Sequence, residues 1–201
     1  MKKSDLAYNQ KQLAQVTLDI EEFPQINGRI MVAMYSPNKT GKMTIRKGVI
    51  MNSGVEYNPT GGQQTIFMFM NDGAEIFFDT EAGMSNVVIA AATRVTIGKR
   101  VFLGAGCRIF DTDFHSIHDA ERLPDNVGIP TKPVTIGDRV FIGAYATILK
   151  GVTIGDDSVI GACSVVAKSI PAGEIWAGNP AKFIKKMPAY EKRNAPKFIQ
   201  L

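Results

Sequence analysis

Along the second half of the chain the apolar residues return at every sixth position. Aliphatic-glycine pairs stand at Ile97-Gly98, Leu103-Gly104, Ile136-Gly137, Ile142-Gly143, Ile154-Gly155 and Ile160-Gly161, with Ile148 in phase but followed by Leu149. Four residues after each aliphatic comes a second small or apolar side chain: Val101, Cys107, Val140, Ala146, Val152, Ser158 and Ser164. A helix returns a side chain to one face every 3.6 residues and an alternating strand every 2, so neither carries a period of six as a continuous element. Short straight segments joined by corners do. Six extended residues cover about 20 Å at roughly 3.3 Å each, so three segments close a triangular coil with one aliphatic from each side directed inward. A single coil cannot bury its apolar face; stacked coils make the core, which is the logic of a solenoid. Glycine after the aliphatic leaves out a Cβ where the chain turns the corner.

Before residue 97 the pattern is looser. Apolar bursts at Ile45, Val49 to Met51, Ile66 to Met70, Ile76 to Phe78 and Val87 to Ile89 predict strands, and the Phe67 to Met70 run is expected in the core or at a subunit interface. The run Asn58-Pro59-Thr60-Gly61-Gly62-Gln63 predicts a loop. Residues 1–44 show no fixed period. A short helix is predicted between Lys3 and Val16, a break at Phe23 to Gly28, and a strand from Gly28 to Tyr35 ended by Ser36-Pro37-Asn38. The expected organisation is a non-repeat segment over 1–44, a repeat domain over 45–183 and a tail over 184–201.

The repeat breaks between Phe110 and Pro133. Ile97 and Ile136 are 39 residues apart, three more than a multiple of six, so chain has been inserted outside the coils. A long excursion from a regular scaffold is a place for function. This one, taken as 111–133, opens with Asp111-Thr112-Asp113-Phe114-His115 and holds both histidines of the chain, His115 and His118. Asp113 lies two residues before His115, which puts both side chains on one side of an extended segment. Two readings of Asp113 stand at this point, an orienter of the imidazole or of a bound hydroxyl, and an Asx-turn at the start of the loop. Asp111 has the same pair of readings, and His118 reads as a surface loop residue.

Charge and cysteine change the picture only slightly. The formal net charge is +4, and basic residues thicken toward the C-terminus at Lys168, Lys182, Lys185, Lys186, Lys192, Arg193 and Lys197, an end that suits a phosphate-bearing ligand. No recognition motif, aromatic platform or dense basic run accompanies them, so nucleic acid is not expected. Cys107 and Cys163 form no C-x-x-C arrangement and are read as small buried residues. No apolar run approaches the roughly 20 residues of a membrane span, and the expected location is the cytoplasm.

The repeats, the D-T-D-F-H-S entry to the excursion and the segment from Ile175 to Lys182 resemble the hexapeptide-repeat acyltransferases. The resemblance covers about residues 45–187. Within that superfamily it is closest in kind to the maltose/galactoside acetyltransferase-like branch, which includes polysaccharide O-acetyltransferases. It implies an all-β left-handed parallel β-helix with an extruded active-site loop. The handedness comes from the resemblance alone, because crossovers are generally right-handed. It also implies acetyl-CoA as co-substrate, a sugar acceptor, no metal, and a homotrimer with its active sites between subunits.

His115 matches the family's catalytic histidine. An imidazole with an ordinary pKa near 6.5 can take the proton of a sugar hydroxyl as it attacks the thioester, a contribution of about 10²- to 10⁴-fold. Attack is expected to be direct, since no Ser-His-Asp spacing or matched cysteine suggests an acyl-enzyme. The family pattern places the N–H of Ala144 near the oxyanion. It runs the pantetheine arm along Gly143, Ala144, Ala162 and Ala167, sets Lys168, Lys182 and Lys185 against the adenosine phosphates, and puts Asn86 beside the acceptor, where Asp111 is expected from its place at the start of the excursion.

Three other classes compete. A zinc enzyme of the γ-carbonic anhydrase kind on the same scaffold needs three histidines per chain, and there are two. A xenobiotic acetyltransferase would look different around the histidine. A silent scaffold would keep the repeats without the base and the lysines.

Overall fold

The computed structural model describes residues 3–60, 64–118 and 127–188. A helix, α1 (Lys3–Leu13), precedes a stack of triangular coils. The first coil is β1 (Thr17–Ile20), β2 (Gln25–Asn27) and β3 (Met31–Met34), and the second is β4 (Gly41–Ile45), β5 (Ile50–Asn52) and β6 (Ile66–Phe69). The third is β7 (Ala74–Phe78), β8 (Gly83–Ser85) and β9 (Val88–Ala91), and the fourth is β10 (Arg94–Ile97), β11 (Phe102–Leu103) and β12 (Arg108–Phe110). The fifth is β13 (Val134–Ile136), β14 (Phe141–Ile142) and β15 (Thr147–Ile148), and the sixth is β16 (Thr153–Ile154), β17 (Val159–Ile160) and β18 (Val165–Val166). A last pair, β19 (Glu174–Ala177) and β20 (Lys182–Lys186), closes the stack.

Each strand from β1 to β15 pairs in parallel with the strand three places on, and β17 pairs in parallel with β19, giving three faces: β1-β4-β7-β10-β13-β16, β2-β5-β8-β11-β14-β17-β19-β20, and β3-β6-β9-β12-β15-β18. Only β20 runs antiparallel, against β19. The inward positions form aliphatic columns, among them Ile97, Ile136 and Ile154 on the first face, Leu103, Ile142 and Ile160 on the second, and Ile109, Ile148 and Val166 on the third, all buried. Burying one such side chain is worth about 1.5 to 3 kcal/mol, so the columns hold the prism together. In the earlier coils Phe67, Phe69 and Phe78 fill the same axis, with the Phe67 and Phe78 rings edge to face at 5.6 Å.

The glycine after each aliphatic has a more specific cause than a free corner. A Cβ on Gly143 would lie 2.5 Å from the N of Ala162, and one on Gly104 2.6 Å from the N of Ala144, each in the coil above. Coils stack so closely at this position that no side chain fits between them.

Both ends of the expected repeat domain need correction. Strands β1 to β4 begin at Thr17, well before residue 45, and belong to the same three ladders. They were hidden because the coils vary in length. Ile136 and its ladder partner Ile154 are 18 residues apart, whereas Ile45 and Phe78 are 33 apart and Ile20 and Ile45 25. At the other end, residues 184–186 lie inside β20 rather than in a tail, while residues 189–201 are outside the described residues. The predicted helix and the strand before Ser36 are present as α1 and β3. The helix covers the open edge of β3: the side chain of Asn9 accepts from the N–H of Ile30, and that of Gln12 from the N–H of Val32. No helix of the described residues is long and apolar enough to cross a membrane.

Candidate active site

The excursion that holds His115 leaves the prism after β12, at the corner between the third and first faces. Its root is clamped. The N–H of Asp113 donates to Pro130 O at 3.2 Å, the N–H of Lys132 to Asp111 O at 2.9 Å, and Thr112 and Thr131 form an antiparallel bridge. The N–H of Phe114 donates to Thr112 Oγ1 at 3.2 Å, so the side-chain turn that opens the loop belongs to Thr112 and not to Asp113. Phe114 takes a positive φ of 63°, and its ring meets Phe110 edge to face at 5.1 Å. The chain is thereby folded back on its own strand, and His115 stands exposed just beyond. His118 is exposed as well, as a surface residue would be, its N–H donating to Ser116 Oγ.

The carboxylates around the histidine have found other partners. Asp113 accepts from Lys150 Nζ at 2.7 Å, and among the described residues no hydrogen bond joins it to His115. Asp111 corrects the acceptor-side expectation more sharply. It is fully buried, and its two oxygens accept from the N–H groups of Ala92, Thr93 and Arg94 and from the Thr93 hydroxyl, at 2.6 to 2.8 Å. It ties the corner of one coil to the corner below and has no face left for a ligand. Asn86 is likewise buried, at positive φ, and its amide accepts from the N–H of Gly54 at 2.7 Å and donates to Asn58 O at 3.0 Å. It anchors the segment after β5 instead of opening onto an acceptor.

Lys150 was not anticipated, although the sequence carried a signal for it. The ladder aligns Ile109, Ile148 and Val166. Two residues beyond each stand Asp111, Lys150 and Lys168, so the two lysines climb the same corner above the root of the excursion. Adjacent coils are about 4.8 Å apart. Above them a cavity of about 350 Å³ is lined by Ala167, Lys168, Trp176, Ala181, Lys182 and Phe183. Three of the expected cofactor residues, Ala167, Lys168 and Lys182, therefore meet in one hollow. Lys185, on β20, is exposed but does not line it.

The remaining expected cofactor residues lie elsewhere on the prism. Gly143 and Ala144 follow β14 and Ala162 follows β17, so all three occupy the corner between the second and third faces, as Asn86 does after β8. Ala144 and Lys150 are six residues apart across the third face, at most about 20 Å of extended chain. One chain thus presents its expected site in two halves, one on each edge of that face.

The cysteines part company. Cys107 occupies the inward position of the repeat and is buried, with its thiol 3.1 Å from Gly143 O, and burial pushes its pKa up to about 12. Cys163 is exposed, against expectation, because it falls on the corner, at a φ of 58°, and leaves the inward position to Ser164. A cavity of about 790 Å³ lies at the other end of the molecule and is lined by none of the expected site residues.

Comparison with known proteins adds the following. Residues 94–109 match the family described as hexapeptide repeat of succinyl-transferase, and residues 133–168 the family described as bacterial transferase hexapeptide (six repeats). A putative acetyltransferase of Dictyostelium discoideum is 47% identical over 95 residues, 47% of this chain and 48% of that protein. A putative lipopolysaccharide biosynthesis O-acetyl transferase of Escherichia coli is 36% identical over 118 residues, 55% of this chain and 60% of that protein. The chain spans about half the length of the curated relatives it matches. Among solved structures, a polysialic acid O-acetyltransferase superposes with a TM-score of 0.62 at 24% identity, over 86% of this chain and 85% of that one. A hexapeptide-repeat acetyltransferase of Vibrio cholerae, complexed with acetyl coenzyme A, superposes with a TM-score of 0.50 at 22% identity, over 91% and 82%. The fold is the left-handed parallel β-helix of these hexapeptide acetyltransferases.

Proposed function

We propose that this chain of hexapeptide-transferase repeats is an O-acetyltransferase that moves an acetyl group from acetyl-CoA to a sugar hydroxyl of a bacterial surface polysaccharide or its precursor. The observation that carries the reading is the third-to-first corner. An exposed imidazole stands on a clamped excursion at its foot, and Lys150, Lys168 and the hollow with Lys182 rise above it. The E. coli relative supports a sugar acceptor, and the V. cholerae complex supports acetyl-CoA as donor.

In the reaction His115 takes the proton of the acceptor hydroxyl as its oxygen bonds to the thioester carbon. The carbonyl oxygen becomes an oxyanion, to which the N–H of Ala144 donates, a contribution of about 3 kcal/mol when well aimed. Collapse breaks the carbon–sulfur bond, and the imidazolium returns its proton to the CoA thiolate. The Lys168 and Lys182 ammonium groups face the phosphates of CoA as point charges, with Lys185 further out on β20. Asp113 acts through Lys150 as a positioning residue for the loop. The division of the site between two edges of one face supports a trimer, in which the His115 edge of one subunit faces the Ala144 and Ala162 edge of the next.

Purified protein incubated with acetyl-CoA and a panel of free sugars, nucleotide sugars and chloramphenicol, with thiol release followed, tests the reading. Sugar-dependent release is expected. His115→Ala should lower turnover by about 10²-fold or more while acetyl-CoA binding persists; a fully active variant, or release dependent on chloramphenicol alone, overturns it.

A further inference from the structure

The cavity of about 790 Å³ lies at the foot of the corner that carries Ala144. Gly28 and Arg29 follow β2, and Ser53 to Tyr57 follow β5, so both stretches belong to the second-to-third corner, the first three coils and the second two coils below Gly104. The segment after β5 does not stay at the foot. It is pinned by Asn86, through Gly54 and Asn58, and the Tyr145 hydroxyl donates to Thr60 O at 2.9 Å. Tyr145 is the residue next to Ala144. From β5 to β14 is three ladder steps, about 15 Å. One continuous wall therefore runs from the cavity to the expected site of transfer.

The lining decides what the cavity takes. Tyr57 and Val55 are exposed and offer an aromatic ring and an aliphatic surface, while Arg29, Gln64, Glu56 and Asp5 offer planar donors and acceptors. Arg29 Nε is bound to Asp5 at 2.8 Å, which leaves its terminal amino groups as donors. Its one positive charge is outnumbered in the lining by two carboxylates, Asp5 and Glu56, so the lining offers no surplus positive charge for a phosphate or an acidic sugar. A ring with hydroxyls around its edge and C–H groups on its face matches such a lining. We infer that the cavity is a subsite for neutral oligosaccharide, which holds a remote part of the acceptor while a hydroxyl further along is presented beside Ala144. The direction of presentation rests on the O-acetyltransferase reading; the binding site does not.

An array of immobilised neutral and acidic oligosaccharides, probed with labelled wild-type, Tyr57→Ala, Val55→Trp and His115→Ala proteins, tests this. Tyr57→Ala removes the ring, and Val55→Trp fills the space without removing a polar partner; melting temperatures establish that both fold. The expected result is binding to neutral oligosaccharides longer than a disaccharide, weakened about tenfold in the first two variants and unchanged in His115→Ala. A blank array, binding to acidic glycans only, or binding that survives both cavity variants overturns the subsite. Acetyl transfer to short sugars with a blank array sinks the subsite alone. Cavity-dependent binding without any acetyl transfer leaves the subsite and removes the catalytic reading.

Discussion

Lys150 Nζ lies 2.7 Å from a carboxylate oxygen of Asp113 and so fastens the root of the His115 excursion to the coil above it. Both side chains are roughly 30% exposed, and a pair this accessible adds little to global stability. Its effect is expected in positioning.

Lys150→Met should lower kcat about tenfold through misplacement of the imidazole, with the KM for acetyl-CoA unchanged. Lys150→Arg, which keeps the charge and the reach to Asp113, should recover most of it. A fall in melting temperature with normal kcat would show the pair to be structural only. Steady-state kinetics on the three proteins beside thermal melts separate the outcomes.

Asp111 is the opposite case, a carboxylate whose work is structural. Replacement by Ala strands three backbone N–H groups at a buried corner, and a cost of about 3 to 5 kcal/mol is expected. Asn keeps one accepting oxygen and should cost about half as much. Urea unfolding reads both, and near-native stability of Asp111→Ala would refute the tie.

The contrast between Asp111 and His115 shows what the sequence could carry. The strict period from Ile97 onward predicted the coils because 18-residue coils keep it in phase, and the excursion that carries His115 was legible because the phase breaks there. The first coils were not legible, since the chain between β5 and β6 and other uneven corners shift the phase. Asn86 was placed beside the acceptor by the resemblance of its segment, and Asp111 by its position at the start of the excursion. Their burial depends on backbone 17 to 19 residues away for Asp111 and about 30 residues away for Asn86. Such relations are set by which corner stacks on which, a property of the assembled prism. Lys150 needed the same register to be seen.

The two thiols should differ in reactivity. Native protein treated with an alkylating reagent near pH 8 is expected to be modified at Cys163 and spared at Cys107, as read by peptide mass spectrometry. Burial raises Cys107 from an ordinary thiol value of 9.0 to about 12. The unfolded chain then loses this proton first as pH rises, so the neutral thiol's contribution is intact below pH 9 and declines between 9 and about 12, by about 1.4 kcal/mol per pH unit. Cys107→Ala should start lower, because it leaves a small void, yet lose less stability than wild type over that interval. Parallel decline in the two proteins would show that the thiol does not titrate there.

Lys168 and Lys182 share the hollow of about 350 Å³ at the top of the corner, and both are exposed. The contribution expected of them to CoA binding is that of point charges in water, long-ranged and screened by salt. Replacing both with Ala should weaken acetyl-CoA binding about tenfold at low ionic strength and by less at high salt, so the variant's affinity should depend less steeply on salt than the wild type's. Sugar-dependent turnover at saturating acetyl-CoA should be nearly unchanged, because neither lysine touches the reacting atoms. Isothermal titration at two or more salt concentrations measures the first effect, and kcat the second. A variant that binds acetyl-CoA normally at low salt would move the phosphates away from this hollow and leave Lys185, or a partner's surface, to receive them.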